Sequence, residues 1–541
     1  MTESSLTDQE VASAIPGQGL SSAVTVAGNS LWSMGAWFGT LVIAFIASPI
    51  LIRLLGRDQY GFMALLNALV TPMGLLDFGI GEATVKYVAE SIGKRDFVAV
   101  ERHARNTLLF NVSIGILGAV VIVSLSKLLI TAFFRIPTET QDLARHCLFW
   151  VSLNWCLTQS RQTFMGLVMS LQRYRILTVG TLISQAVTTL AGLGALLLGG
   201  TLLDLVRAQA IVSGLAGLGW MLVARRLFPN VSLLPRFDNS SFRKTCRFGF
   251  WQTVTNVGAL LAQQSQRWLL GALLPIATVG FYAVSFQLIA AVYSLTYKVG
   301  QVLFPAISHL QGLAREEQAA RLTVQANWVL STLAIAGFVP LFVFGDDLLL
   351  LWVGPDFASH AAGLLRIMVT GAMVSCLFTL HHFFLLGTAR TNWLAAMAFV
   401  QGLVSLLVSA LLIPWLGLAG AGWGMVAGTA THIAVLILLW RRILRSWFSA
   451  PVYFCATFSQ YVAGTLIATA LLFIRRSVVW SPRWVSLGLA ALVCFVFSGI
   501  VIISVDSALP GGNDRRRLLV KLGSVMFPGR PIFQRWLGSS T

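Results

Sequence analysis

The sequence predicts an all-α membrane protein of about 14 transmembrane helices, built as two pseudo-symmetric six-helix bundles followed by two C-terminal helices. Three observations predict it. Apolar side chains make up 56% and charged ones 11% of 541 residues, which leaves many windows of about 20 residues able to cross a bilayer. The charges fall in short links between those windows, 26 of the 38 Lys and Arg on alternate links and 10 on the others. The chain also repeats itself. Gly280-Phe281-Tyr282-Ala283 matches Gly61-Phe62-Met63-Ala64 at a shift of 219 residues, and Trp440-Arg441-Arg442-Ile443 matches Ala224-Arg225-Arg226-Leu227 at a shift of 216.

The apolar runs place helices at about 28–52, 61–89, 106–130, 143–170, 176–199, 202–224, 247–272, 276–304, 326–345, 360–388, 392–414, 417–440, 453–475 and 484–506. Residues 1–27 contain Glu3, Asp8 and Glu10 but no Lys or Arg, and read as a disordered cytoplasmic tail rather than a secretory signal. An N-terminal bundle then spans 28–224, a cytoplasmic linker 225–246 and a C-terminal bundle 247–440. Two extra helices follow over 441–506, and a basic cytoplasmic tail over 507–541. The excess of Lys and Arg puts both termini in the cytoplasm. Arg475, Arg476 and Arg483 run against that rule. Because six is even, the two copies insert the same way up, which predicts an axis along the membrane normal and a cavity between the bundles.

Composition also excludes several classes. The net charge of +18 lies in membrane-proximal links, not on a soluble basic surface, so nucleic acid is not a partner. The six cysteines sit in or beside apolar spans without a CxxC pair and read as small core residues. There is no Ser/His/Asp set, so no catalytic residue is assigned and the chain is not read as an enzyme. No metal or cofactor is implied, since the adjacent His381 and His382 alone do not make a metal site. The glycines from Gly417 to Gly424 follow no strand and are not a nucleotide loop.

Polar groups inside apolar spans are the remaining candidates, because a charge in mid-bilayer costs roughly 2.5–3.5 kcal/mol even on lenient scales and is kept for a reason. Arg161 shares a helical stripe with Asn154 and Thr158 in the fourth span. At the repeat shift, Arg161 and Gln162 meet Leu380 and His381, and His382 lies on a stripe with Ser375 and Thr379. Arg267 ends a stripe of Asn256 and Gln263, and Lys298 shares a face with Ser294 and Gln301. We read Arg161, Arg267, Lys298, His382, Gln263 and Asn154 as substrate-binding candidates. Helix packing, or snorkelling of the Arg267 side chain to the interface, is the competing explanation. Asp77 and Glu82 are the acidic candidates. Glu82 precedes Lys86 by four residues, the favourable order for an intrahelical pair, and Asp77 serves as a cap, an ion-pair partner or a titrating site. Pro72, Pro305 and Pro340 interrupt spans and are candidate bends.

Two like-oriented bundles with cations inside suit an amphiphilic anion moved by alternating access, since a guanidinium fork bonds two phosphate oxygens at once. The run LLGRDQYGFMALLNALV…LLDFGIGEATVKYVAE, residues 54–70 and 75–90, resembles the opening segment of Wzx-type polysaccharide flippases. These form the polysaccharide-transport branch of the superfamily that also holds MATE drug exporters and lipid II flippases. The resemblance implies export of undecaprenyl-pyrophosphate-linked oligosaccharide, for O-antigen or exopolysaccharide, across a bacterial inner membrane. It further implies coupling to a proton or sodium gradient, with Asp77 or Glu82 as candidates, and contact with membrane lipids and a polysaccharide polymerase complex. Two other readings stay open: a MATE-type exporter, which predicts an acid-dominated cavity, and a membrane glycan polymerase, which predicts a large outer loop.

Overall fold

The computed structural model describes residues 21–77, 80–94, 96–134, 136–171, 173–229, 231, 239–388, 390–477 and 483–511. Among the described residues there are fourteen α-helices and no strand. In chain order they are α1 (Ser21–Val70), α2 (Ile80–Gly93), α3 (Phe97–Leu128), α4 (Gln141–Ser170), α5 (Tyr174–Leu197), α6 (Leu202–Leu227) and α7 (Asn239–Leu273). They continue as α8 (Ala277–Gly312), α9 (Glu316–Trp352), α10 (Pro355–Gly387), α11 (Thr391–Leu416), α12 (Leu418–Arg442), α13 (Ala450–Ser477) and α14 (Trp484–Ser507). The tails at 1–20 and 512–541, and linker residues 232–238, lie outside the described residues.

The first helix is two helices in one. Gly56 sits at φ 73°, ψ 173°, a conformation closed to residues with a Cβ, and it breaks α1 between the two spans expected at 28–52 and 61–89. The second arm tightens at Thr71–Asp77 into a 3₁₀ segment that contains Pro72, which cannot donate to the preceding turn. The α1 helix starts at Ser21, seven residues before the expected 28, and α3 and α9 overrun their expected starts by nine and ten. Apolar periodicity marks only the lipid-embedded part of a helix; the polar first turns, such as Glu316 and Glu317 of α9, continue it into water.

The chain divides into two compact units: 1–257 with 275–280, and 258–274 with 281–541. In the first, α4 packs on α3 and α6, α6 on α5, and α5 on α1. Its apolar core holds Val88, Val100, Leu108, Phe164, Leu167 and Trp220. Glycines let these helices close up. Gly180 lies under the Trp220 ring, and Gly115 and Gly118 on α3 lie against Cys156 and Trp155 of α4. The matching glycines of the repeat, Gly61 and Gly280, touch each other.

In the second unit α9 and α10 form the centre. Of their most apolar stretches 67% and 72% is buried, against 17% for the peripheral α14. Asn327 ties the two, its Nδ2 donating to Leu377 O at 2.9 Å and its Oδ1 accepting from Leu380 N at 3.1 Å. Ser331 Oγ donates to Cys376 O at 3.0 Å. The last two helices are bound to this centre: α13 and α14 both pack on α9. Arg475 of α13 forks onto Asp347 of α9, its Nη2 at 2.7 Å from both carboxylate oxygens. Ser459 Oγ donates to Asp506 Oδ1 at 2.8 Å between α13 and α14.

The crossing of α7 and α11 has no room for side chains. A Cβ on Gly258 would stand 2.3 Å from the Ala398 carbonyl carbon, and one on Gly402 would stand 2.5 Å from Gly258 O. Backbone cannot be moved aside like a side chain. Gly258→Ala is therefore expected to cost about 1–3 kcal/mol through overpacking, read as a lower unfolding temperature in detergent. The same change at Gly194, with nothing within 4 Å of its Cβ position, is expected to leave that temperature unchanged or raise it.

Candidate functional site

Among the described residues, eleven helical runs are long and apolar enough to cross a membrane; α4 and α7 are the two long helices that are not among them. Those two carry Arg161 and Arg267. A membrane span too polar to face lipid needs protein or water around its polar side, so α4 and α7 mark where the candidate site lies in each unit.

In α4, Ser152, Gln159 and Thr163 are buried and fix one face of the helix to its own unit. Asn111 Nδ2 of α3 donates to Thr163 Oγ1 at 2.8 Å. Asn154, Thr158 and Arg161 follow one another at i, i+4 and i+7 on the opposite side. All three are half-buried. Arg161 stands nine residues before the end of α4 at Ser170, about 14 Å along the helix. Its Nε, and Oδ1 of Asn154, are buried atoms without a hydrogen-bond partner among the described residues. Stripe residues Asn154 and Arg161 thus carry unspent hydrogen-bonding capacity on the side of α4 opposite Ser152, Gln159 and Thr163.

In the second unit, Arg267 Nη1 donates to Gln264 Oε1 at 2.7 Å, and its guanidinium lies 5.0 Å from the Phe286 ring centroid, a cation–π arrangement. Gln263 is exposed. Its neighbours Gln264 and Gln266 are buried, and Gln266 Nε2 donates to Ser405 Oγ of α11. Lys298 Nζ donates to Gln301 Oε1 at 3.2 Å, so the expected shared face of α8 is occupied by a weak local bond. Phe286, over which Arg267 sits, and Lys298 are twelve residues apart on α8, about 18 Å along the axis. The two cations occupy different depths.

The structure separates the two adjacent histidines. His381 is fully buried. Its Nδ1–H donates to Leu377 O at 3.2 Å, since a carbonyl only accepts, and its Nε2 lies 3.3 Å from the Tyr453 hydroxyl, which also reaches Leu436 O at 3.5 Å. His382 is half-buried and packs near Tyr297, ring centroids 6.1 Å apart, at the depth of Lys298. Lys298 and His382 therefore fall at one level and Arg267 at another. The side chains of Asp77, Glu82 and Lys86 lie outside the described residues.

Sequence reading missed His432 and Gln401. His432 of α12 is buried; its Nε2–H donates to Gln401 Oε1 of α11 at 3.2 Å, its ring stacks on Phe378 at 5.0 Å, and its Nδ1 has no partner among the described residues. The signal was present: a titratable side chain inside an apolar run is as notable in α12 as Arg161 is in α4.

Comparison with known proteins gives this geometry a family. The description "Polysaccharide biosynthesis protein" belongs to the family that matches residues 26–311, more than half of the chain. A protein of Shigella flexneri named "Putative O-antigen transporter" is 20% identical over 364 residues, covering 64% of this chain and 82% of its own. Among solved structures, the lipid II flippase MurJ in an inward closed conformation superposes with a TM-score of 0.67 at 12% identity, over 88% of this chain and 99% of its own. An inward-facing MATE-family multidrug resistance transporter of the MOP superfamily gives 0.62 at 12% identity, over 80% and 95%. A MOP superfamily transporter from Pyrococcus furiosus, described by the reverse polarity of its binding pocket, gives 0.56 at 12%, over 83% and 96%. The chain belongs to the polysaccharide biosynthesis protein family and has the fold of the MOP-superfamily transporters.

Proposed function

We propose that this protein is a flippase, a transporter and not an enzyme, that carries lipid-linked oligosaccharide across the bacterial inner membrane by alternating access, with both termini in the cytoplasm. Its substrate in this reading is an undecaprenyl-pyrophosphate-linked repeat unit for O-antigen or exopolysaccharide. The observation that carries the reading is Arg161: a guanidinium held well inside a span, with a nitrogen left unpartnered, in a chain of this family. The pyrophosphate supplies the acceptor oxygens that such a group lacks. Asn154 on the same stripe suits a sugar hydroxyl, as does Gln263 in the second unit. Arg267, Lys298 and His382 offer cationic or hydrogen-bonding positions at two depths, which lets an anionic head be handed along rather than trapped at one point.

The lipid tail stays in the bilayer while the head passes among protein polar groups, which removes the cost of taking it through hydrocarbon. With the cytoplasm negative, each net negative charge moved outward releases about 2.3 kcal/mol per 100 mV, so the potential favours export. Asp77 and Glu82 remain the candidates for coupling to protons or sodium, and a polysaccharide polymerase complex is the proposed recipient of the exported unit. The purified protein in liposomes is expected to expose a lipid-linked oligosaccharide to an external glycan-modifying probe well above the protein-free rate. A strain lacking it is expected to accumulate that intermediate on the cytoplasmic face. Accumulation on the outer face instead would identify a polymerase and overturn the reading; transport of organic cations in place of the glycolipid would identify a drug exporter.

A further inference from the structure

The pair α11 and α12 is tight at one end and open at the other. Gly420, Gly424 and Gly428 of α12 press against Leu412, Ser409 and Ser405 of α11, and small residues let helices approach this closely. Beyond Gly428 the stripe changes to larger side chains, with His432 of α12 meeting Gln401 of α11 at 3.2 Å. Between them lies a groove of about 460 Å³ lined by Trp393, Met397 and Val400 of α11 and Thr431, Val435 and Leu438 of α12. That volume is within the roughly 300–1,000 Å³ of small-ligand sites. It opens sideways, where Val400 and Leu438 are exposed. From Thr431 to Leu438 it runs seven residues of α12, about 10 Å into the apolar span.

Its polar end is strongly basic. Arg441 and Arg442 follow Leu438 at i+3 and i+4, on the same side of α12, and Arg445 follows in the next turn. All three are exposed, and none forms an ion pair among the described residues. The acids at this end are engaged elsewhere: Glu316 pairs with Arg390, the residue before α11, and Glu317 with Arg321. Asn392 and Trp393 stand at the same end, in the first turn of α11; a tryptophan there suits the headgroup boundary.

We propose that this groove is a binding site for an anionic membrane phospholipid, with one acyl chain lying between α11 and α12 and its phosphate held by Arg441 and Arg442. The charge selects the occupant. A zwitterionic lipid offers no net charge to three clustered guanidinium groups, whereas an anionic headgroup is attracted by each basic group beside it. Lipid held here fills the groove in the half of the helix pair that the glycine contacts do not reach. The site is independent of the transport reading, since it uses none of the residues assigned to the glycolipid head.

The test uses the full-length protein in nanodiscs and phosphatidylglycerol with a photoreactive diazirine in mid-chain. Cross-links are expected to concentrate in peptides covering residues 391–400 and 431–438. Unlabelled phosphatidylglycerol is expected to compete at least tenfold better than phosphatidylcholine with the same chains. Ala434→Trp, which fills the groove from an exposed position, and the double change Arg441→Gln, Arg442→Gln are each expected to cut labelling at least fivefold, with α14 labelling as internal control and monodispersity as the check on folding. Labelling spread evenly over α5 and α14, or equal competition by the two lipids, identifies general lipid contact and overturns the proposal. Retained labelling in either variant also overturns it, and so do protein–protein cross-links through the groove, which identify a second copy of the chain as the occupant.

Discussion

Arg161→Ala is expected to slow glycolipid flipping in liposomes by about 10- to 100-fold, the kinetic equivalent of losing one charge-assisted contact of roughly 1.5–3 kcal/mol. Arg161→Lys is expected to fall between the two, because an ammonium keeps the charge but loses the planar fork that bonds two oxygens. Stability separates this role from a packing role. The guanidinium sits inside a span with its Nε unpartnered among the described residues, so replacing it removes a desolvated charge that costs roughly 2.5–3.5 kcal/mol. The unfolding temperature of the alanine variant should then hold or rise while transport falls. If transport stays within twofold of wild type, or if stability and transport fall together, Arg161 is a structural residue and the substrate role is wrong.

The second large effect is on stability. In the pair between α9 and α13, the side chain of Asp347 is 7% exposed and that of Arg475 20%, and the fork is bidentate. Asp347→Ala strands a mostly buried guanidinium, and breaking such a pair from one side costs about 3–5 kcal/mol. The double replacement Asp347→Leu, Arg475→Met removes both charges and is expected to recover most of that loss, since a well-packed apolar pair of similar volume is often as stable as the ion pair. Thermal unfolding of the single and double variants in detergent checks both. If the double variant is as unstable as the sum of its singles, the two side chains do not act as a pair.

That pair also explains a difficulty in reading the sequence. A count of Lys and Arg treats Arg475 as a free positive charge on the wrong side of the membrane, yet its neutralising partner is 128 positions earlier. No local pattern can reveal this. The helices themselves were legible, because a span of apolar residues of bilayer length has one physical solution. Their ends were less so, since α3 and α9 continue past the apolar run into water. Arg161 and Arg267 were legible as polar intrusions, and both fall on helices too polar to face lipid. What the sequence concealed was depth and choice between neighbours. Lys298 and Arg267 look equivalent in a list of cations, but Phe286, over which Arg267 sits, is about 18 Å along α8 from Lys298. His381 and His382 are adjacent, yet one is sealed beside Tyr453 and the other is half open. Gln264 rather than Gln263 holds Arg267, a one-residue difference that stripe counting does not resolve.

Gly56 gives the first two arms of the chain a joint one residue long. A conventional loop absorbs an inserted or deleted residue as slack, but a single-residue elbow has none. One residue added in the second arm, between Gly56 and Gly61, would swing Gly61 by about 100° around that arm, away from the Ile276 backbone that leaves it no space for a Cβ. This corner therefore tolerates neither a change of side chain at Gly56 nor a change of length beside it, and its geometry works as a rigid bracket that sets the angular register of everything carried by the second arm.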